Sequence, residues 1–439
     1  MVCVALYFQV HQPCRLGPYS IFRDDPFYFD DGANSQILRR VAQKCYRPAA
    51  SLLLDLIERH RGGFRVSLSL SGTVMDQLAA WAPDVLDLFA ALARTGHAEF
   101  LGETSHHSLA ALYWPEEFAE QVCLHSAATA ARFGVAPAVF RHTELLHSDA
   151  LAEMVQRLPR QGGPWSACLA EGVEPLLNER TPARVYTTPA GLPLLLRNHR
   201  LSDDVAFRFS SRAWDHGPLN AATYAQWLDR LNSEGDFCGL FMDLETLGEH
   251  QWADTGIFTF LEELPAALLS VHAGRNRFVT CSEAALLPSA GVYSAPDITS
   301  WADTERDASA WNGNPIQRAA LDEYFRIGRV VRERLDRAGE PAERSYCRSL
   351  LDDWRKLGTS DHFYYMSTKF FADGEVHKYF NPYDSPYDSY INFMNVLDHL
   401  RTRLVREPTE RHPSTPPPAF ISDPSLRDPF GQTPGTIQR

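Results

Sequence analysis

Four segments of this sequence bring ionisable side chains directly after an apolar run of the kind that forms a β-strand. They are HQP with His11, AEFLGETSHHS with Glu99, Glu103, His106 and His107, RHTELLHSD with Glu144, and MDLETLGEH with Asp243. A charge beside an apolar core is costly if left unpaired, so such carboxylates pair with cations, bind a metal or serve chemistry. Two facing carboxylates are the minimum for glycoside hydrolysis, in which one protonates the leaving oxygen and the other attacks the anomeric carbon or activates water. Glu144 and Asp243 are candidates for that pair.

The elements that must position these side chains alternate between strand and helix over the first 280 residues. Seven strands are predicted, at residues 3–10, 65–71, 98–103, 138–144, 164–170, 192–198 and 237–245. Among the helices between them, one is predicted around residues 36–60 and one near 74–94. No Gly-rich dinucleotide loop follows any of these strands, and polar residues cluster after several of them. We therefore predict an α/β fold with a distorted seven-stranded (β/α) barrel, because the carboxyl ends of barrel strands open onto one face.

The pattern of the chain changes twice after the last predicted strand. Helical periodicity dominates from about residue 315, and a segment rich in Pro, Ser and Thr follows it. We predict a catalytic barrel at 1–290, a helical C-terminal subdomain that completes the cleft at 291–406, and a disordered tail at 407–439. No internal repeat is visible.

Composition narrows the class of partner. The chain has 439 residues, of which 44% are hydrophobic, enough for a large core. Its 42 basic and 55 acidic residues give a formal charge of −13, which disfavours nucleic acid and anionic membrane as partners. Eight cysteines without CxxC pairs, and a first strand that begins almost at Met1, predict a cytoplasmic protein. A small molecule or an uncharged polymer fits this balance; no cofactor is predicted, and the oligomeric state stays open.

Several motifs resemble the glycoside hydrolase family 57 α-amylases. FQVHQP, FRHTELLHSD, GLFMDLETLGEHQ and TSDHFYYMSTK follow in order from His11 to about Asn395, which is most of the chain. The resemblance implies a seven-stranded barrel with a following helical region, an α-glucan or maltooligosaccharide substrate, and retention of anomeric configuration. It also implies that Glu144 is the nucleophile, that Asp243 is the general acid/base, and that His11 and Glu99 contact sugar hydroxyls.

Further substrate-binding candidates surround this pair. Glu245 is expected to support the site through hydrogen bonds, and His250 either binds sugar or holds a neighbouring acid. His107 is expected in a supporting position. The resemblance extends to APDITSWADTERDASAWNGN, which would form a loop near the cleft. Aromatic faces stack on pyranose rings and acids accept hydroxyl hydrogen bonds, so this loop adds three candidates: Trp301, Asp303 and Trp311.

Simpler roles compete with these assignments. A lone histidine after a strand is more often structural than catalytic. Glu144 could pair with Arg141 or cap the helix expected to begin near Ser148. The cluster HFYYM is more typical of packing between helices, although the resemblance places it near the cleft.

Other functions stay open beside the α-glucan hydrolase. Within the same family, the alternatives are a 4-α-glucanotransferase and a glucan branching enzyme. The alternatives from other classes are a metal-dependent polysaccharide deacetylase and a non-catalytic glucan-binding protein. No metal site is predicted, because the adjacent His106 and His107 would point to opposite faces of a strand, and the acids of YFDDGAN lie in a loop well past the first strand.

Overall fold

The computed structural model describes residues 1–160, 162–271, 275–371 and 381–406, so the predicted tail at 407–439 lies outside the described residues. Ten strands are present in this part of the chain: β1 Cys3–Val10, β2 Val66–Leu70, β3 Ala98–Phe100, β4 Val139–Arg141, β5 Ala167–Glu171, β6 Val185–Thr187, β7 Pro193–Arg197, β8 Phe237–Asp243, β9 Arg277–Phe278 and β10 Ser289–Val292. Seven of them, β1 to β5 with β7 and β8, are the strands predicted from the sequence.

These seven strands run parallel around a distorted barrel. β1 pairs with β2, β2 with β3, β4 with β5 and β5 with β7, while β8 returns to β1 along Cys3–Gln9. The pairing is reduced to the bridge Gly102 to Phe140 between β3 and β4, and to Arg197 with Gly239 between β7 and β8. A side chain at Gly102 would meet the Trp165 ring at 2.6 Å, so glycine permits this bridge. The predicted distorted seven-stranded barrel is confirmed.

Three short strands were not predicted. β6 runs antiparallel to β7, β10 pairs with β6, and β9 pairs with the first residues of β1. They are only two to four residues long and carry no clear alternation. Their pairing with longer neighbours therefore decides their conformation.

The barrel strands are apolar on both faces, as parallel strands covered by helices must be. Inward side chains such as Tyr7, Leu169 and Phe241 fill the barrel, whereas outward ones such as Phe8 and Leu240 pack under the helices. The described part of the chain has these α-helices: Asp31–Val41, Arg47–Arg59, Gly72–Trp81, Pro83–Arg94, Ala110–Tyr113, Pro115–Phe133, Asp149–Arg157, Glu174–Leu177, His199–Ala206, Ala221–Arg230, Ile257–Ser270, Cys281–Ala284, Ser309–Asn312, Pro315–Arg337, Pro341–Leu357, Ser360–Tyr364 and Pro386–Val405.

Two predicted helices are interrupted in the structure. The helix expected around residues 36–60 contains a π-helical turn at Ala42–Tyr46. The helix expected at 74–94 is divided at Ala82, because Pro83 lacks an N–H and begins a new helix.

The helical C-terminal region predicted from the sequence is confirmed. Pro315–Arg337, Pro341–Leu357 and Pro386–Val405 pack together over a shared apolar cluster that also contains outward residues of β4, β5 and β7. A buried ion pair, Arg355 Nε to Glu117 Oε1 at 2.7 Å, joins this region to the barrel helix Pro115–Phe133. The boundary at residue 290 stays a prediction. No helix of the described residues has the length and apolar character needed to cross a bilayer.

Candidate active site

The carboxyl ends of the barrel strands bring ionisable side chains together. Residues alternate in direction along a strand, so positions two residues beyond the inward Tyr7, Val139 and Phe241 also point inward. Those positions are Gln9, Arg141 and Asp243, and Gln9 lies beside Asp243 in the β1–β8 register. This alternation directs the Asp243 carboxyl into the mouth of the barrel.

Glu144 is held in an unusual backbone conformation. It lies in a 3-10 turn, Thr143–Leu145, with φ at 56°, and Leu145 follows with φ at 48°. A left-handed conformation costs a non-glycine residue roughly 1–3 kcal/mol, and such strain concentrates at functional sites. His107 and Asp303 share this conformation, with φ of 50° and 54°. The strained residues therefore include three that the sequence marks as site candidates.

Three donors converge on the Glu144 carboxylate. Ser360 Oγ donates to Oε1 at 2.8 Å, His107 Nε2 lies 3.3 Å from the same oxygen, and Trp301 Nε1 donates to Oε2 at 2.8 Å. Burial by itself would raise the pKa of Glu144, but the His107 contact and charge, with the Trp301 N–H, outweigh it and lower the pKa below its ordinary value. Glu144 is therefore ionised at neutral pH.

The donors reach Glu144 because distant loops dock on the strand ends. One backbone bridge joins His147 to Thr299, two residues before Trp301. Another joins Ser108 to Thr359, the residue before Ser360. Neither the Arg141 pair nor the helix cap that competed for Glu144 in the sequence is present at this carboxylate. Arg141 binds Glu103 instead, and Ser148 caps the helix Asp149–Arg157 with its own hydroxyl.

The pKa of Asp243 is shifted in the opposite direction from that of Glu144. Burial raises its pKa, and the negative charge of Glu144 raises it further, whereas Arg141, His107 and Arg197 act in the other direction. The net pKa of Asp243 lies well above its ordinary value of 3.8. A carboxyl held ionised, beside a second one whose pKa is raised to about 7, is the combination that nucleophilic and acid/base roles require.

His11 and His107 form a stacked pair beside Glu144. Their ring centroids are 4.1 Å apart at an interplanar angle of 24°. His11 contacts Ser71 Oγ through Nδ1 at 2.7 Å and Asp361 Oδ2 through Nε2 at 2.9 Å. Burial and the His107 charge lower the pKa of His11 despite Asp361. Its partners hold the His11 ring against His107, whose Nε2 contacts Glu144.

Glu245 lies just beyond Asp243 and is buried. Tyr46 Oη donates to Glu245 Oε1, and Gln12 Nε2 lies 3.4 Å from the same oxygen. Burial and the charge of Asp243 raise the pKa of Glu245. Glu245 is thus held by hydrogen bonds within the protein, and its predicted supporting role at the site stays a prediction. In the same loop, burial lowers the pKa of His250 to about 4, and whether it binds sugar stays a prediction.

The candidates in the loop after residue 300 lie partly at Glu144 and partly against the helical region. Besides donating to Glu144, Trp301 packs on Phe241 with centroids 4.9 Å apart. Asp303 accepts from Lys369 Nζ at 2.8 Å. Trp311 is 2% exposed and packs near Tyr364 in the helical region. Sugar contacts by Asp303 and Trp311 stay predictions.

Glu99 lies in a different environment. Its carboxylate accepts from Ser67 Oγ at 3.1 Å and from the Ser282 N–H at 3.0 Å. Ser282 belongs to the short helix that follows β9, the strand that pairs with the first residues of β1. The structure therefore places Glu99 near the amino-terminal end of the barrel, and its proposed sugar contact stays a prediction.

Four site residues were not among the sequence candidates: Glu103, Arg141, Ser360 and Asp361. Glu103 was noted in the sequence only as an ionisable group after the third strand, and Arg141 only as a possible partner of Glu144, so neither was given a role at the site. Ser360 and Asp361 begin the helix Ser360–Tyr364, so their pattern resembles an ordinary helix start. Only their docking against the barrel reveals a role.

The acidic segment YFDDGAN lies at the start of a helix. Asp30 of this segment caps the helix Asp31–Val41 by accepting from the Ala33 N–H at 2.8 Å, which gives Asp30 a structural role. Within the described ranges, no three His, Cys, Asp or Glu side chains are arranged to hold a metal ion.

Comparison with known proteins gives a consistent picture. The family model described as Glycosyl hydrolase family 57 matches residues 5–296. A curated protein of Methanocaldococcus jannaschii, described as "Putative alpha-amylase", is 37% identical over 401 residues, which cover 90% of this chain and 83% of the relative.

Solved structures share the fold. An alpha-amylase from Thermotoga maritima has a TM-score of 0.62 at 13% identity, with 92% of this chain and 94% of that chain covered. A GH57-type branching enzyme from the archaeon Pyrococcus horikoshii has a TM-score of 0.61 at 14% identity, with 95% and 100% covered. Identities this low bear on the architecture alone.

Proposed function

Because this chain belongs to glycosyl hydrolase family 57 and is a glycoside hydrolase, we propose that it cleaves α-1,4-glucosidic bonds with retention of configuration. In this proposal Glu144 is the nucleophile and Asp243 the general acid/base. The observation that carries it is the contrast between the two carboxyls: three donors lower the pKa of Glu144, while burial and the Glu144 charge raise that of Asp243.

In the first step, Glu144 attacks the anomeric carbon of the bound sugar. A carbon–oxygen bond forms to the carboxylate while the glycosidic bond breaks, and Asp243 gives its proton to the departing oxygen. Because the pKa of Asp243 is raised to about 7, a large fraction of Asp243 carries that proton at neutral pH. The product of this step is a covalent glycosyl ester on Glu144.

In the second step, Asp243 is ionised and takes a proton from water as the water oxygen attacks the anomeric carbon. The ester bond breaks, its electron pair returns to Glu144, and two inversions give net retention. The regenerated carboxylate then accepts hydrogen bonds from His107, Trp301 and Ser360. Because the Glu144 charge disappears in the ester, the pKa of Asp243 falls during the step in which it acts as base.

We propose an uncharged α-glucan, namely starch, glycogen or a maltooligosaccharide, as the substrate. The formal charge of −13 disfavours an anionic polymer. His11, Asp361 and Glu245 lie around the carboxyl pair and offer both donors and acceptors to sugar hydroxyls. The curated relative with an alpha-amylase description supports the same substrate class.

The test is hydrolysis of maltoheptaose by wild type, Glu144→Gln and Asp243→Asn. We expect Glu144→Gln to lose activity, and Asp243→Asn to fall by roughly 100-fold to 10,000-fold, the usual contribution of general acid/base catalysis. Glu249→Gln is the matched control. Glu249 follows in the same loop but pairs with Arg40 at 3.1 Å, and this variant should keep wild-type rates.

Azide separates the two roles. With a 4-nitrophenyl α-maltooligoside, azide should rescue a small-residue Glu144 variant to give an inverted β-glycosyl azide. For Asp243→Asn it should give an α-glycosyl azide, because azide then attacks the glycosyl ester. Wild-type activity in either folded acid variant, or a β-anomer as the first wild-type product by proton NMR, would refute the assignment.

Transfer to a second glucan uses the same two steps, with a sugar hydroxyl in place of water. Products longer than maltoheptaose would indicate a 4-α-glucanotransferase, and new α-1,6 linkages a branching enzyme. Chromatography of the maltoheptaose reaction distinguishes these outcomes from hydrolysis, in which all products are shorter than the substrate.

A further inference from the structure

Glu103 is a buried carboxylate behind the nucleophile. It is 0% exposed, and its two oxygens are fully used within the protein. Oε1 accepts from Ser69 Oγ at 2.7 Å, while Oε2 accepts from Arg141 Nη2 at 2.8 Å and contacts His107 Nδ1 at 3.1 Å. Arg141 Nε also donates to Ser69 Oγ at 2.9 Å, which closes the cluster.

His107 connects this cluster to Glu144. Its Nδ1 faces Glu103, and its Nε2 faces Glu144 at 3.3 Å. An ionised carboxylate only accepts hydrogen bonds, so both ring nitrogens can bond to carboxylates only when both carry a proton. The geometry therefore requires an imidazolium. Burial by itself would lower the pKa of His107, but its bonds to the two carboxylates raise it to about 9.

The contacts of His11 are consistent with a stacked pair of rings in which only His107 is charged. Ser71 Oγ can donate to its Nδ1, and its Nε2 can donate to Asp361, which is the bonding pattern of a neutral ring. The groups that face His107 are thus the Glu103 and Glu144 carboxylates, the Arg141 guanidinium 3.5 Å from Nδ1, and a neutral imidazole. The carboxyls of Asp243 and Asp361 also interact with its charge. Without Glu103, the Nδ1–H would face a positive charge alone.

We infer that Glu103 is a positioning residue that acts through His107, holding the ring so that Nε2–H orients the Glu144 carboxylate for attack. This inference rests on the proposed function for its kinetic consequence. In the second step the bond from Glu144 to the anomeric carbon breaks, and the electron pair returns to the carboxylate. His107 then donates to the restored charge, and the Glu103–Arg141–Ser69 cluster keeps the ring in place.

The kinetic test is a double-mutant cycle with Glu103→Gln, His107→Gln and the double variant. Removing a partner that orients a site residue typically costs 10–100-fold, so kcat of Glu103→Gln should fall by roughly that factor with little change in KM. If Glu103 acts only through His107, its substitution should lower kcat by less than about twofold in the His107→Gln protein. A purely structural role would lower activity in both backgrounds.

The second test is spectroscopic and does not depend on activity. Histidine NMR of the wild type should show His107 titrating near pH 9. Without the Glu103 charge the His107 imidazolium is less stable, so the titration of His107 should move to lower pH in Glu103→Gln. A wild type that cleaves no glucan would defeat the proposed function, while the His107 titration still tests the inference.

Two further variants guard against misfolding. Glu103→Asp retains the charge that compensates Arg141 but withdraws the carboxylate by one methylene, so it should fold and still lose kcat. Asp353→Asn breaks another ion pair, to Arg403 at 2.7 Å, and should lower the melting temperature while leaving kcat and the His107 titration unchanged. The inference is overturned by a wild-type kcat in folded Glu103→Gln, by an undiminished loss in the His107→Gln background, or by an unchanged His107 titration.

Discussion

The Trp301 indole offers the sharpest probe of the nucleophile. Trp301→Phe removes the N–H that donates to Glu144 Oε2 at 2.8 Å, while a phenyl ring can keep the packing on Phe241. Hydrogen bonds to charged groups contribute about 1.5–3 kcal/mol. Because Ser360 and His107 still donate to Oε1, we take the lower end. At about 1.36 kcal/mol per pKa unit, the pKa of Glu144 should rise by about one unit.

The assay is kcat/KM for maltoheptaose as a function of pH. Glu144 must be ionised to attack, so the acid limb should move by about one pH unit to higher pH in Trp301→Phe. The free energy of unfolding is a second measurement. The lowered pKa of Glu144 stabilises the folded protein fully above pH 4.5, the ordinary pKa of the group, and this contribution is lost as the pH falls through the pKa in the folded state. The variant should therefore lose about 1.5 kcal/mol of unfolding free energy at pH 7 and less in acid.

Trp252→Phe is the matched control. Trp252 is 62% exposed, with Lys44 over its ring at 5.7 Å, so its substitution should leave the acid limb in place. An acid limb for Trp301→Phe that stays at the wild-type pH, or moves to lower pH, would refute the role of this hydrogen bond in holding Glu144 ionised.

Three other expectations follow from the structure. Glu117→Gln leaves Arg355 buried with only part of its compensation, so the free energy of unfolding in urea should fall by about 3 kcal/mol. Gly328→Ala places a methyl group against the Trp354 ring where two helices pack, and should cost about 1–3 kcal/mol in the same assay. Because burial and the Glu144 charge raise the pKa of Asp243, wild-type kcat/KM should persist well above pH 3.8 and decline only as pH passes that raised value.

The two stability expectations each have a matched control variant. Glu333→Gln breaks an exposed pair with Arg337 at 3.3 Å and should change stability by less than about 1 kcal/mol. Gly339→Ala adds a methyl group with no atom within 4 Å and should be nearly neutral. Equal losses in the paired variants would contradict the packing arguments. A decline of kcat/KM that begins near pH 4 would contradict the raised pKa of Asp243, whose ordinary value is 3.8.

The local pattern of apolar residues was sufficient to locate the seven barrel strands along the chain. The first strand was predicted at 3–10 and lies at Cys3–Val10, and the last was predicted at 237–245 and lies at Phe237–Asp243. Parallel strands covered on both faces are continuous apolar runs, so a strand ends where its run ends. The predicted helix at 74–94 shows the limit of this approach, because Pro83 divides it.

The order of residues along the chain also determined which side chains could meet. His11, His107 and Glu144 follow β1, β3 and β4, and Asp243 ends β8. Parallel strands bring their carboxyl ends to one mouth. Glu99 shows where this reasoning failed to discriminate: it lies within β3, and strand register directs its carboxylate to Ser67 and Ser282.

The chemistry of those side chains depended on the tertiary structure. Ser360 reaches Glu144 from a helical segment 216 residues later, and Trp301 from a loop 157 residues later. Composition and periodicity describe each segment alone, whereas a pKa depends on burial and on the charges and donors that surround a group in space. The sequence by itself therefore brought Glu144 and Asp243 to strand ends at the barrel mouth, but it did not separate them from Glu99. Only the docking of the loops and the helical region decided that the pKa of Glu144 is lowered and that of Asp243 is raised.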